Sequence, residues 1–566
     1  MPGSRGRHRS RTGGSLRTPA AIAAIVALVA VAAVAVRTVA ADARGCANDL
    51  RVSVAAAPDI EPVVREVASR WSRTNPKVDG DCVDVQVHAA EPADVANLLS
   101  VQAGGTINVA ADTGAAVPTP SDADIPAVWI PDSSAWITRM EGVNRDAFEG
   151  DSRSLAASPV VFAVPEGLAG SLLPAGTTKL GAQEIGAVLG TLAKGGVKLA
   201  AVEPRRNTAG LVGATALKNA VVTSPADLVK MVGAYRAVEV APTQRELLDR
   251  YAENEIAPMS EQGLAGYDRT GPSVPLVAVP LNPSVTLDYP YIKVAGKSRA
   301  TAQAADLFEA ALTADGNRDV YSRAGFRAPD GSTGPGFPAG HGISPLTVPP
   351  QPFADGATIS EILVYWTATK SPSRVLTLVD VTNSMTKPFI LNSGVQTARI
   401  DVLRQTALDG LKLFTDDSEL GLWAFASGHQ ELAPVAVLDS AQRARLAAAL
   451  SKGVAASDEC GLYESVLAAY KTLRDGYRAG RSNTVVVFTD GRNSKPGMSL
   501  DDFETQLELA TDPTRPVRVV LLGIGPDVDQ NELNAIAQRT GGRAFSVQDP
   551  RQIGTIFLQA LLRPGS

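Results

Sequence analysis

The sequence predicts an α/β protein with two exported bodies behind an N-terminal membrane helix, and three observations carry that reading. Two short, apolar, β-branched runs each end in aspartate: Val375 to Val379 before Asp380, and Thr484 to Phe488 before Thr489 and Asp490. Strand-like and helix-like segments alternate in both halves of the chain, and in the second half this implies a parallel sheet covered on both faces. A basic, acid-free head precedes an uncharged apolar stem at the N-terminus. The 566 residues, 45% hydrophobic and 20% charged, are enough for several cores.

The N-terminus sets the compartment. Arg5, Arg7, Arg9, Arg11 and Arg17 precede Ala20 to Val36, a stretch without charge, and no acidic residue comes before Asp42. Those residues rise roughly 25 Å against a bilayer core of about 30 Å. Arg37 can snorkel and let Thr38 to Ala41 lengthen the span. Residues 20–41 are therefore expected as a signal-anchor transmembrane helix and 1–19 as a basic cytoplasmic tail. The positive-inside rule then places everything after residue 42 outside the cytoplasm. The alternative is a secreted chain, released by cleavage of a signal peptide at the A-x-A site Ala41-Asp42-Ala43. A lipoprotein reading of Cys46 is disfavoured, because Arg44 sits where a lipobox wants a small neutral residue.

Three cysteines are present. Cys46 and Cys82 flank the first strand and helix of the exported region, and Cys460 stands alone. Export makes a Cys46–Cys82 disulfide the natural expectation, closing a loop of about 36 residues and worth a few kcal/mol. Two separately buried thiols are the other reading.

The first body spans 46–327. Leu50 to Ala55 alternates as a strand, Ala57-Pro58-Asp59 forms a turn, and Ile60 to Thr74 has helical spacing. Cys82 to Val87 is a second strand, and Pro92 to Gln102 is a helix with proline at its tolerated first position. Further strands are expected at Ala127 to Ile130, Val160 to Val164, Ala200 to Val202 and Val277 to Val279. Residues 328–355 read as a linker: seven prolines and five glycines fall between Pro329 and Pro352, a density no helix or central strand tolerates.

The second body spans 356–566. It opens with a short helix, Thr358 to Ala368, and continues through the Val375 strand to a helix from Gln396 to Phe414. Strands follow at Leu420 to Phe425 and Leu432 to Leu438, then helices at Ala441 to Leu450 and Leu462 to Tyr477. After the Asp490 strand come a helix at Asp501 to Ala510, a strand at Val517 to Gly523, and helices at Gln530 to Arg539 and Pro550 to Leu562. In an open α/β sheet, the loops at the strands' carboxyl ends form the ligand crevice, so Asp380 and Asp490 should meet there. Two carboxylates with the hydroxyls of Thr382 and Ser384 suit Mg²⁺ or Mn²⁺. The competing reading makes these residues ordinary helix caps.

At these positions the chain resembles the von Willebrand factor type A domain, whose metal-ion-dependent adhesion site is written D-x-S-x-S, a separate threonine, and an aspartate usually followed by glycine. Asp380, Thr382 and Ser384 match the first element with one hydroxyl exchange, and Asp490-Gly491 matches the third. The second element departs, because Cys460 falls at the threonine position and a thiol is a poor ligand for Mg²⁺. Ser457, Asp458 and Glu459 are the nearby replacements. The resemblance implies a Rossmann-like domain that binds a protein partner whose carboxylate completes the metal shell.

The first body resembles the type 2 periplasmic solute-binding fold, two α/β lobes hinged around a cleft. The echoes are Trp129-Ile130-Pro131-Asp132-Ser133-Ser134-Ala135-Trp136, Ser158 to Pro165, and Tyr289-Pro290-Tyr291 followed by Gly325-Phe326-Arg327. Together the halves look like bacterial envelope proteins that pair such a region with a C-terminal von Willebrand A domain. The expected ligand contacts lie at helix N-termini, where free N–H groups favour anions: Pro58, Asp59, Ser133, Ser134, Asn207, Thr208 and Tyr289; the ordinary readings are Asp59 and Ser133 as caps, Thr208 as a turn residue and Tyr289 as core. Arg205 and Arg206 could meet an anionic solute or simply be solvated.

Net charge −6 argues against a nucleic-acid surface. H-E-x-x-H, P-loop and G-x-S-x-G patterns are missing, and His88, His341 and His429 have no metal-ligand spacing. The expected function is a non-enzymatic, membrane-anchored extracytoplasmic binding protein with a small-molecule solute and a protein partner. The alternatives are a solute-binding component of a transport system and, less favoured, a metal-dependent hydrolase.

Overall fold

The computed structural model describes residues 45–547, apart from position 106, the stretches 110–120, 122–123, 173–177, 193–195 and 225–226, position 371, the stretches 391–395, 412–413 and 452–456, position 492 and the stretch 526–527. The basic tail 1–19, the membrane helix expected at 20–41, the A-x-A site and the closing helix expected from Pro550 lie outside the described residues. Among the described residues no helix is long and apolar enough to cross a membrane.

The first body folds as two lobes, each on its own sheet. The first sheet runs Lys77–Val78, Asp81–Ala89, Asp49–Ala56, Val128–Ile130, Pro290–Val294, Phe148–Ser154. Asp49–Ala56 pairs in parallel with both of its neighbours. Helix Glu61–Ser72 buries Val63, Val64, Val67 and Ala68 along one face, as its apolar spacing requires. Cys46 and Cys82 are joined in a disulfide, with their Cα atoms 5.4 Å apart. The second sheet runs Leu276–Pro280, Ser158–Pro165, Glu255–Ser260, Lys198–Val202, Val238–Ala241. Ser158–Pro165 is buried along its whole length, which explains its nearly unbroken apolar sequence.

The Pro/Gly-rich stretch is not a free spacer. Arg327, fully buried, donates to both carboxylate oxygens of Glu261 at 2.6 and 2.9 Å and to the carbonyls of Leu346 at 2.7 Å and Ser344 at 2.6 Å. Ala278 N–H donates to the His341 carbonyl at 2.7 Å, and Thr286 N–H to that of Gln351 at 2.9 Å. Prolines supply no backbone N–H, so the turns within the stretch, such as Gly331 N–H to the Ala328 carbonyl at 2.8 Å, leave other carbonyls in need of donors. The planar guanidinium of Arg327 gathers them and straps residues 328–351 onto the second lobe.

The next helix, Gly356–Lys370, also belongs with the first body, against the expectation that the second body begins at residue 356. Ile359, Ile362, Leu363, Tyr365 and Trp366 join the first body's apolar core. Trp366 packs edge-on to Tyr235 with ring centroids 5.2 Å apart, and its indole N–H reaches Glu203 at 2.9 Å. With the helix's apolar residues spent on the first body's core, the chain passes between bodies just before Ser373.

The second body is one twisted sheet in the order His429–Val437, Glu419–Phe425, Ser373–Asp380, Ser482–Thr489, Arg518–Ile524, Ala544–Val547. Only the first pair is antiparallel. Strand alternation sends Leu376, Leu378, Val485 and Val487 to one core with helix Leu462–Asp475, and Val375, Val379, Val486 and Phe488 to the other. The helix expected from Gln396 begins later, at Arg399. Gln396–Ala398 instead pairs with Pro388–Ile390 as a small hairpin, and those cross-strand bonds satisfy the backbone that the helix would otherwise have used.

Candidate functional site

Register places the two aspartates together. Val379 pairs with Phe488, so adjacent parallel strands leave the sheet level with each other. Asp380 and Asp490 both lie almost wholly out of solvent. Asp380 Oδ1 accepts the Thr382 N–H at 2.9 Å and its hydroxyl at 2.6 Å, and Oδ2 accepts the Thr489 hydroxyl at 2.7 Å. The Thr382 and Ser384 hydroxyls are 2.8 Å apart, and Ser384 donates to Asp490 Oδ1 at 2.7 Å. Arg399, at the start of its helix, donates to Asp490 Oδ2 at 2.6 Å.

Burial pushes the Asp380 carboxyl above its usual range, and the charge of Asp490 adds to that effect. Two buried carboxylates and two hydroxyls against one guanidinium fit a hard divalent cation. Cys460 does not extend that set. Its sulfur lies 3.8 Å from Asp380 Oδ2, and burial, followed by the charges of Asp380 and Asp490, pushes the thiol strongly up. A protonated thiol beside a carboxylate is a weak donor, not a metal ligand. Of the replacements considered for Cys460, Asp458 accepts the Asn383 side chain at 2.6 Å and Ser457 Oγ accepts the Glu459 N–H at 3.3 Å.

Between the lobes of the first body lies a cavity of about 420 Å³, whose charged lining is Asp59, Glu91, Asp132, Asp249 and Arg245. Burial raises Asp59, although its hydrogen bond from Tyr289 opposes the rise. Burial and then the charge of Asp59 push Asp132 up to about 6. Glu91 is pushed up to about 7 by burial first, then by Asp132, Asp94 and Asp59, with Arg206 opposing.

The residues expected to touch a solute divide into two groups. Pro58, Asp59 and Asn207 line the cavity. Ser133 is buried and holds the Ala135 N–H at 3.2 Å, and Ser134 gives its N–H to Asp288 at 2.7 Å. Thr208 is spent on Asp132, donating from its N–H at 3.1 Å and its hydroxyl at 2.9 Å. Tyr289 is fully buried behind Asp59, to which its hydroxyl donates. Its φ of 40° is unusual for a bulky residue; its N–H bond to the Asp132 carbonyl at 3.3 Å helps to hold it.

The expected preference for an anion does not fit this lining. Arg205 is turned inward onto Glu203 at 2.8 Å, and Arg206 is paired with Asp94 at 2.6 Å. Sequence reasoning missed Glu91, Asp132 and Gln262 in the cleft and Arg399 beside Asp490. Asp132 lay inside a quoted motif, and the sharp turn after a buried strand could have flagged it. Glu91 and Gln262 carry no such local signal.

Residues 52–327 match the bacterial extracellular solute-binding protein family, and residues 375–559 match the von Willebrand factor type A domain. Uncharacterised proteins from two strains of Mycobacterium tuberculosis are 27% identical over 560 residues, covering 89% of this chain and 75% of their own. A solved von Willebrand factor type A structure from Catenulispora acidiphila is 17% identical, covering 34% of this chain and 43% of its own, with TM-score 0.29. A periplasmic thiamin binding protein is 11% identical, covering 57% of this chain and 97% of its own, with TM-score 0.38.

Proposed function

Because the chain joins a bacterial extracellular solute-binding domain to a von Willebrand factor type A domain, we propose that it is a membrane-anchored, extracytoplasmic binding protein without catalytic activity. In this reading the first body takes a small solute and the second binds a protein partner through Mg²⁺ or Mn²⁺. The observation that carries it is the convergence of Asp380, Thr382, Ser384 and Asp490 at the carboxyl ends of two central strands. Those side chains would hold the ion, and a carboxylate of the partner would complete its shell. The basic head and apolar stem support the anchor, and the Cys46–Cys82 disulfide supports an oxidising compartment.

Native mass spectrometry of the purified chain in Mg²⁺ and Mn²⁺, before and after chelation, tests the metal. A chelator-reversible adduct that is absent from Asp380→Ala supports the reading. Identical spectra for both proteins would remove the metal from it.

The inter-lobe cavity favours a second reading, in which the chain hands a solute to a permease. That role predicts tight solute binding that survives both chelation and Asp380→Ala.

A further inference from the structure

We propose that the inter-lobe cleft binds a small organic cation, an amine, quaternary ammonium or guanidinium compound. The inference rests on reading the first body as a solute-binding module and names the chemical class of its solute.

Four carboxylates and one arginine supply the charge on the cavity wall. That arginine does not balance them: Arg245 is 90% exposed and pairs with Asp249, itself 73% exposed, at 3.9 Å, which leaves Asp59, Glu91 and Asp132 as the sheltered charges of the cleft. Nearby cations are already engaged, Arg205 with Glu203, Arg206 with Asp94, and Arg139 with the Arg205 carbonyl at 3.1 Å. Glu91 stands at the N-terminus of helix Pro92–Gln102 without capping it, so its carboxylate remains on the cavity wall. Like charges gathered in a low-dielectric cleft raise one another's free energy, and a bound cation reverses the sign of that interaction.

A second observation is independent of the acidic groups. Gln262, 7% exposed, lines the same cavity; its amide N–H bonds the Ala324 carbonyl at 3.2 Å, while its Oε1 is buried without a hydrogen-bond partner. A buried acceptor without a donor is costly, and the N–H of an amine or guanidinium, or the hydroxyl of a compound such as choline, would supply one. Tyr267 adds an aromatic ring and Leu248 and Leu287 add apolar wall, a lining suited to the hydrocarbon part of an alkylammonium. The volume falls within the range of small-molecule sites, about 300–1,000 Å³.

The test is calorimetry on the purified full chain with chelator present, which takes the Asp380 site out of the measurement. The probes are choline, putrescine and agmatine, then citrate and phosphate, then glucose. Saturable binding of at least one cation, weakened roughly tenfold or more in Glu91→Gln, is the expected result. Cation binding that is indifferent to both Glu91→Gln and Asp249→Asn would overturn the cleft assignment. Binding of citrate, phosphate or glucose without any cation would overturn the charge class and leave the solute-binding reading standing. Heat from none of the six would overturn both.

Discussion

Arg399 and Asp490 form an ion pair at 2.6 Å with side chains only 5% and 1% exposed. A buried pair contributes little net stability beside an apolar one, but removing one partner strands the charge of the other. Arg399→Ala is therefore expected to cost about 3–5 kcal/mol of stability in urea unfolding with chelator present. Millimolar Mg²⁺ should restore part of that loss, because a divalent ion supplies positive charge beside Asp490. A mutant as stable as the parent would mean that Asp490 is compensated by other groups.

Cys460→Thr is expected to raise Mg²⁺ affinity roughly tenfold or more, because it exchanges a soft, protonated thiol beside Asp380 for a hard hydroxyl oxygen. Calorimetric titration with Mg²⁺ measures it. Unchanged affinity would mean that even a hydroxyl at position 460 does not reach the metal.

Much of this architecture was legible because buried strands announce themselves. Val375 to Val379 and Thr484 to Phe488 needed no tertiary information, and parallel register then brought Asp380 to Asp490. What stayed hidden depended on contacts distant in sequence. Arg327 closes the Gly325-Phe326-Arg327 echo of the solute-binding fold, but nothing local shows that it makes the proline-rich stretch part of the second lobe. Arg399 lies 91 residues from Asp490, and no local pattern marks such a pair. The cleft misled for a partly related reason: helix N-termini and the Arg205-Arg206 pair suggested an anion, but Glu203, two residues away, takes Arg205, and Asp94, 112 residues away, takes Arg206.

The pH dependence of choline binding follows from the same carboxyls. Glu91, near 7, faces Asp132, Asp94, Asp59 and Arg206; Asp132, near 6, faces Asp59 and Arg139. Both must be ionised to attract a fixed positive charge. Affinity should thus be full above about pH 8 and fall as pH drops through 7 and then 6, by roughly tenfold or more at about pH 5. Near neutral pH, binding should release protons, visible as a dependence of the calorimetric heat on the buffer. A flat profile would show that these carboxyls do not face the ligand.

The last prediction concerns motion between the lobes. Asp132 in the first lobe accepts two hydrogen bonds from Thr208 in the second, at 2.9 and 3.1 Å, so this contact spans the cleft. Helix Gly356–Lys370 spans it as well: Thr367 accepts the Asn108 amide of the first lobe at 3.3 Å, while Trp366 donates to Glu203 of the second at 2.9 Å. The same helix ends just before Ser373–Asp380, the strand that carries Asp380. Thr208→Val removes the hydroxyl bond to a buried carboxylate, worth about 1–2 kcal/mol, and should multiply the open population roughly fivefold or more. Opening cannot keep both anchors of the helix. Deuterium uptake at 356–370 should therefore rise in the mutant along with uptake at the cleft. Faster exchange at the cleft with none at the helix would mean that the helix follows one lobe, and that the von Willebrand factor type A domain does not sense the solute.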